Sequence, residues 1–377
     1  MSLDAIFRPR TVAVVGASKR EGTLGHKVMN NLIRMGFEGI LYPVNPRTDV
    51  IQGYKCYPSV SAIPDELDLA ILIVPKEVIH EVVDECGQKG VKALIVISAG
   101  FREIGGEGIK REERLLEQIH RYGMRMVGPN CMGVFNTAPD VRLDATFSPA
   151  RPHQGNIGFI SQSGALGVVI LELANHLQLG ISLFASMGNK ADISDNDLLE
   201  YYFADSHTDL ILMYLENLAD PRRFLEIARK ATRKKPVIVV KAGKTAAGAR
   251  AASSHTGALA DSEVAINTLL HQCGVIRVPT IEEMFTLGMA FANQPLPKSN
   301  RVAVLTNAGG PGILATDALI GNGLKMAKLS EETRQRLRQI LPEEASVHNP
   351  VDMISTADHE HYRQGLEILL EDENVDA

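Results

Sequence analysis

Short apolar runs rich in β-branched residues alternate with amphipathic stretches along the whole chain, the pattern of repeated strand–helix units and of parallel sheets with helices on both faces. A first set of predicted strands covers 11–15, 39–44, 69–74, 93–98 and 125–127, each followed by a turn and a helical periodicity, so residues 1–147 are expected to form one doubly wound α/β domain. The stretch from Pro149 to Gly155, with two prolines and a glycine, reads as a linker. A second set, 156–161, 182–186, 210–215, 237–241 and 274–278, predicts another α/β domain over 153–293. After Gln294-Pro295-Leu296-Pro297-Lys298-Ser299, a strand at 301–306 and a helix from Pro311 open a third domain, 299–377; it reads as truncated, because the helix around Tyr362 to Leu370 should lead into a new strand. Residues 158–166 and 303–312 echo one another as strand, small-residue turn and helix, which implies two similar domains, each offering a helix N-terminus.

Bulk composition narrows the partners. A length of 377 residues with 45% hydrophobic content fits two to three packed domains. The 39 basic and 45 acidic residues are mixed along the chain and leave a formal charge of -6, so no broad cationic face is expected for nucleic acid. No apolar run approaches the roughly 20 residues that span a bilayer, and Met1-Ser2-Leu3-Asp4 does not open a signal peptide, so no membrane is expected and the compartment is read as the cytoplasm. Cys56, Cys86, Cys131 and Cys273 are widely spaced with no CxxC pair, and read as reduced thiols rather than a zinc site or disulfide framework.

Chemistry concentrates at a few turns. Strand 11–15 runs into Gly16-Ala17-Ser18-Lys19-Arg20, with Gly22 and Gly25 before the helix, a turn whose small residues let backbone N–H groups and the helix dipole approach a pyrophosphate. The pattern departs from GxGxxG, and Asn45-Pro46 stands where a nicotinamide dinucleotide site would place an acidic residue on the ribose. Lys19 and Arg20 add positive charge beside a polyphosphate, which suits CoA with its 3′-phosphate. Val74-Pro75, Ser98-Ala99-Gly100 and Asn130-Cys131 are expected on the same carboxyl edge of the sheet, where open α/β sheets bind ligands.

Residues 241–260 are almost devoid of bulky apolar groups and are predicted to form a long mobile loop carrying His255. Alone, His255 would be an ordinary exposed loop residue. Its neighbours change that reading: Ser161-Gln162-Ser163-Gly164 and Asn307-Ala308-Gly309-Gly310 each place unpaired N–H groups at a helix start, where a phosphoryl group's charge is neutralised. Neutral imidazole is a competent phosphoryl acceptor, and Glu216, at a strand's carboxyl end, is positioned to hold the far ring nitrogen. Asp192, Asp195 and Asp197 match no calcium loop and read as a turn and helix cap; no metal is expected on this chain.

Val15-Gly16-Ala17-Ser18, Gly128-Pro129-Asn130-Cys131, Ser161-Gln162-Ser163-Gly164 and above all Ser254-His255-Thr256-Gly257 resemble the α part of ADP-forming acetyl-CoA synthetases, in the succinyl-CoA synthetase superfamily. The resemblance covers essentially the whole chain. It implies a CoA-binding Rossmann-like domain followed by two flavodoxin-like parallel-sheet domains, and the reversible conversion of acyl-CoA, ADP and phosphate to carboxylate, CoA and ATP through an acyl phosphate and a phosphohistidine. His255 falls on the phosphorylated position and Glu216 on the carboxylate that steadies it. The family's ATP-grasp module, which binds ADP or ATP with Mg2+, has no counterpart in the sequence and is expected as a fused domain or separate subunit; a homo- or hetero-oligomer is also expected. Related protein lysine acetyltransferases share these domains, and a regulatory CoA-binding part of such a protein is the alternative; retention of His255 favours the synthetase.

Overall fold

The computed structural model describes residues 3–150, 153–245, 248 and 262–377. The chain divides into two compact units, Met1–Asn293 and Gln294–Ala377. The larger unit opens with α1 (Asp4–Phe7), β1 (Thr11–Val15), α2 (Leu24–Met35) and β2 (Ile40–Val44), then a small hairpin of β3 (Val50–Ile51) and β4 (Tyr54–Lys55). β5 (Leu69–Leu72), α3 (Ile79–Lys89), β6 (Ala93–Val96), α4 (Glu107–Tyr122) and β7 (Arg125–Val127) follow. Five strands pair in the order β2-β1-β5-β6-β7, all in parallel. The chain reverses its direction of travel across the sheet after β2, which leaves a switch point between β1 and β5. Both faces of the sheet are covered: Val12 and Val14 of β1 enter one core, Ala13 and Val15 the other, as the pleat requires.

A second sheet follows, built from β8 (Gly133–Asn136), β9 (Leu143–Thr146), β10 (His153–Ser161), α5 (Gly164–His176), β11 (Gly180–Ser186), α6 (Asp195–Ala204) and β12 (Leu210–Leu215). It is completed by α7 (Pro221–Ala231), β13 (Val237–Lys241), α8 (Glu263–Gln272), β14 (Ile276–Val278) and α9 (Ile281–Asn293). The strand order is β14-β13-β12-β10-β11-β8-β9. Its parallel strands repeat the topology of the first sheet, so here the switch point falls between β10 and β12.

The hairpin β8–β9 precedes the Pro149–Gly155 stretch in sequence yet pairs antiparallel on the β11 edge of the second sheet. Both faces of β8 are buried there: Val134 joins the core shared with the first sheet, while Phe135 stacks on Phe184 at 5.2 Å between centroids. One continuous core therefore links Val14, Met29 and Ile95 to Leu143, Ile160 and Ile211, and the two sheets behave as one unit. Backbone pairing reinforces the junction. Asn189, Ala191 and Ile193 N–H donate to the carbonyls of Pro129, Gly128 and Met126 at 2.9, 3.1 and 3.2 Å, so the segment after β11 is bonded to β7 and the turn that follows it.

Asp144, on β9, is buried with its Oδ1 accepting from Thr146 N and Thr146 Oγ1. Burial outweighs these bonds and pushes its carboxyl up to about 7. A raised folded-state value means that the native chain binds the proton more tightly than the unfolded chain, so this group's contribution to stability is complete below about 3.8 and is lost as pH rises towards about 7. Asp144→Asn is accordingly expected to stabilise the chain by roughly 2–4 kcal/mol at about pH 8 and by little at about pH 4, as read by denaturant unfolding.

The smaller unit contains β15 (Arg301–Val302), β16 (Leu305–Thr306), α10 (Gly309–Gly321), β17 (Lys325–Met326), α11 (Glu331–Ile340), β18 (Val351–Asp352) and α12 (His359–Leu370). The single strand expected at 301–306 is two short ones, β15 pairing with β17 and β16 with β18. The Asn349 amide fills the gap: Oδ1 accepts from Val304 N at 2.9 Å and Nδ2 donates to Val302 O and Ala327 O. Among the described residues no helix is long and apolar enough to cross a membrane.

Candidate functional site

At the first switch point the backbone closes on itself without side chains. Gly16 has φ +94°, and a Cβ there would lie 2.2 Å from Ile73 O; a Cβ on Gly25 would lie 2.0 Å from Gly16 O. Asn45 braces the same turn, its Nδ2 donating to Ala17 O at 2.8 Å, with Pro46 next in sequence. Ser18 Oγ accepts from Arg20 N at 3.0 Å, and the Lys19 and Arg20 side chains are exposed beside it. Ser98 Oγ donates to Val74 O at 2.6 Å, tying the ends of β5 and β6 ahead of Pro75. The Gly100 turn is already occupied. Its N–H and that of Phe101 donate to Glu103 Oε1 at 2.5 and 3.1 Å, so those donors are committed to an internal carboxylate. Burial pushes Glu103 up, but hydrogen bonds from Asn189, Gly100 and Phe101 outweigh it and hold the carboxyl below its ordinary range.

A cavity of about 750 Å³ lies where the carboxyl edge of the first sheet meets the second switch point. Ile97, Ala99, Asn130 and Cys131 line it from the first sheet, and Gln162, Ser163 and Gly164 from the turn between β10 and α5. Glu216, at the end of β12, lines it too. Burial pushes the Cys131 thiol up to about 12, and its Sγ donates to Val96 O at 3.3 Å; it is a packed thiol rather than a nucleophile.

The turn after β10 divides its donors. Ser161 is fully buried and donates its Oγ–H to Ser163 O at 2.7 Å. Gln162 N donates to Tyr214 O at 3.0 Å, and Gln162 Oε1 accepts from Glu216 N at 2.8 Å and Asn217 N at 3.2 Å. Ser163 caps α5 by accepting from Leu166 N. The backbone N–H groups of Ser163, Gly164 and Ala165 meet no acceptor among the described residues, which leaves them, at the positive end of a 13-residue helix, for an anion in the cavity.

The smaller unit carries the same turn. Thr306 Oγ1 donates to Ala308 O at 3.0 Å, as Ser161 does to Ser163 O, so the sequence echo extends to its hydrogen bonds. Asn307 N donates to Tyr362 Oη at 3.1 Å. At Gly309 a Cβ would lie 3.1 Å from Asp352 Oδ2, so a carboxylate flanks this helix start, with Gly310 next to it open to solvent. His255 lies outside the described residues.

Three comparisons bear on the whole chain. Residues 10–137 match the CoA binding domain family, 154–291 the succinyl-CoA ligase like flavodoxin domain and 302–377 the ligase-CoA domain. The α subunit of acetate–CoA ligase [ADP-forming] II from Pyrococcus furiosus is 49% identical over 99% of this chain and 81% of its own length. The chain belongs to the ADP-forming acetate–CoA ligase family. Acetate–CoA ligase [ADP-forming] I of Archaeoglobus fulgidus is 45% identical over 99% of the chain, which spans 54% of that protein. Acetyl-coenzyme A synthetase 1 of Ca. Korarchaeum cryptofilum, solved in complex with phosphate and ADP, superposes with a TM-score of 0.95 at 40% identity, over all of this chain and 80% of that one.

In this ligase chain only one of the acidic trio is a helix cap: Asp197 closes a capping box with Ser194 at the start of α6, whereas Asp192 accepts from Arg125 Nε and Met126 N and the buried Asp195 from Lys190 Nζ and Ala219 N. Sequence reasoning did not single out Gly188, Asn189 and Lys190, which line the cavity, nor Asn217 and Ala219 beyond Glu216. A signal was present: Gly188-Asn189-Lys190 is a glycine turn at a strand's carboxyl end, subject to the same rule that located the other turns. Arg102 was missed as well; its Nε donates to the buried Glu112 at 2.7 Å, while Asn189 Nδ2 donates to Glu103 and Glu112 at 2.7 and 2.8 Å.

Proposed function

We propose that the chain is the CoA-binding and phosphohistidine-carrying part of an ADP-forming acyl-CoA synthetase acting in the cytoplasm, divided as a CoA-binding domain at 1–147 and flavodoxin-like ligase domains at 153–293 and 299–377. The observation that carries this reading is the cavity in which the Ser163 helix start, Glu216 and the first sheet's Asn130 edge converge. CoA lies along the first sheet's carboxyl edge, its polyphosphate at Gly16, Ala17, Ser18 and Gly25 beside Lys19 and Arg20, with Asn45, Pro46, Val74, Pro75, Ser98, Ala99 and Asn130 along its path. The side-chain-free turn at Gly16 fits such a ligand, since only backbone is present to meet it.

In the cavity an oxygen of inorganic phosphate attacks the thioester carbonyl, the carbon–sulfur bond breaks, and CoA leaves with a proton on sulfur. The N–H groups at Ser163 and Gly164 stabilise the charge on the transferring oxygens. The acyl phosphate then gives its phosphoryl group to a neutral ring nitrogen of His255 and departs as the carboxylate, with Glu216 holding the other nitrogen. The turn at Asn307, Gly309 and Gly310 is a second phosphate cradle. His255 passes the phosphoryl group to ADP on an ATP-grasp module, fused or separate, where Mg2+ belongs.

Incubating the full-length protein with acetyl-CoA and phosphate tests the reading. An acid-labile, base-stable phosphoryl group should form on His255, and its absence overturns the proposal. Glu216→Gln should slow that step by roughly 10–100-fold while leaving CoA affinity within about twofold, the signature of a group that orients the acceptor rather than binds the substrate.

A further inference from the structure

The segment that carries Glu216 is gripped through its main chain from several directions. Gln162 Oε1 takes the N–H groups of Glu216 and Asn217, and Lys241 Nζ donates to Glu216 O at 2.7 Å. On the far side stands an ion pair with no role in the chemistry described above. Lys190 Nζ donates to Asn217 O at 2.8 Å and to Asp195 Oδ1 at 2.9 Å, and the same Asp195 oxygen accepts from Ala219 N at 3.2 Å. Asp195 is fully buried and Lys190 is 8% exposed. Lys190 also sits at φ +47°, outside the ordinary range for a side-chain-bearing residue, and lines the cavity together with Glu216.

A buried ion pair contributes little to stability compared with an apolar pair of similar shape, because desolvation of both charges offsets their attraction. A non-glycine residue in the left-handed region costs a further 1 kcal/mol or so. Global stability therefore does not account for these features, whereas their geometry does: every polar contact of the pair ends on the main chain of 217–219 or on its own partner. We infer that Lys190, held by Asp195, is a positioning residue that fixes the segment after β12 and so aims the Glu216 carboxylate into the cavity. The inference rests on the proposed role of Glu216. Lys190 ties the turn after β11 to the turn after β12, so one side chain links two walls of the cavity.

The test uses the full-length protein with Lys190→Met and with the charge-neutral pair Lys190→Met/Asp195→Asn, which leaves an acceptor for Ala219 N and no unpaired buried charge. Both variants should form phosphohistidine from acetyl-CoA and phosphate about tenfold or more slowly, with CoA affinity within about twofold of wild type. The double variant should recover thermal stability relative to Lys190→Met without recovering rate. Adding Lys190→Met to Glu216→Gln should slow the step by less than about twofold, because a residue acting through Glu216 has nothing left to position. Full additivity in that background overturns the inference. So does unchanged amide hydrogen exchange across 216–219 in the Lys190 variants, where faster exchange is expected. The exchange arm needs no turnover, so it judges the strut separately; a wild-type protein that forms no phosphohistidine overturns the proposed function and, with it, the catalytic meaning of the strut.

Discussion

Replacing His255 by asparagine in the full-length protein should abolish ATP formation from acetyl-CoA, ADP and phosphate, a loss of at least about 10³-fold. Asparagine keeps a polar, similarly sized side chain, but its amide nitrogen has no free lone pair and cannot accept a phosphoryl group. Because the chemistry at the thioester is assigned to the cavity rather than to the imidazole, the first step should survive: acyl phosphate, trapped as the hydroxamate, should still appear from acetyl-CoA and phosphate. CoA affinity should also be preserved, since the glycine turn proposed to meet the polyphosphate belongs to the first sheet. Normal ATP formation by the variant would remove the covalent carrier from the scheme, and loss of acyl phosphate as well would move the imidazole into the first step.

The turns proposed to carry the chemistry were legible because each combines a buried strand, a small-residue break and a helix start, features that local physics imposes on sequence. The strand at Thr11–Val15 and the helix start at Ser163-Gly164 needed no tertiary information. What escaped was decided by contacts distant in the chain. Gly133–Asn136 is four residues long with both faces buried, so it carries no alternation, and its place on the second sheet follows from Phe135 meeting Phe184 and from its antiparallel pairing with Leu183 to Ser186. Asp195 reads in sequence as part of a turn and helix cap, and Lys190 carries no signal of its own; only the fold shows the pair buried against Asn217 and Ala219. Gln162 was assigned to phosphate on the strength of its turn, and its side-chain oxygen instead accepts from the Glu216 segment while its N–H closes the switch point on Tyr214. The strand at 301–306 was broken by an asparagine more than forty residues on, whose amide replaces a rung of the ladder.

Gly16→Ala should be the most damaging conservative change in the first sheet. The added Cβ would meet Ile73 O at 2.2 Å, and neither partner can rotate away, because a Cβ is fixed by its own backbone and both backbones are held by the pairing of Ile73 N with Val15 O and of Gly16 N with Val44 O. The left-handed φ of +94° adds strain that no L side chain relieves. Relief requires β1 and β5 to part at their carboxyl ends, at a cost of roughly 3–5 kcal/mol and with the loss of the surface proposed for CoA. Gly25→Ala should act through the opposite wall, since its Cβ would lie 2.0 Å from Gly16 O and would drive α2 off the turn. Gly22 separates strain from contact: its φ is +81° but a Cβ there meets nothing within 4 Å, so Gly22→Ala should cost only about 1 kcal/mol. Denaturant unfolding and CoA titration of the three variants should therefore rank Gly16 and Gly25 far below Gly22, with CoA affinity reduced by about 100-fold or more in the first two. Equal midpoints and equal affinities across the series would mean that the turn is not closed by backbone contact, and the assignment of the polyphosphate to it would fall.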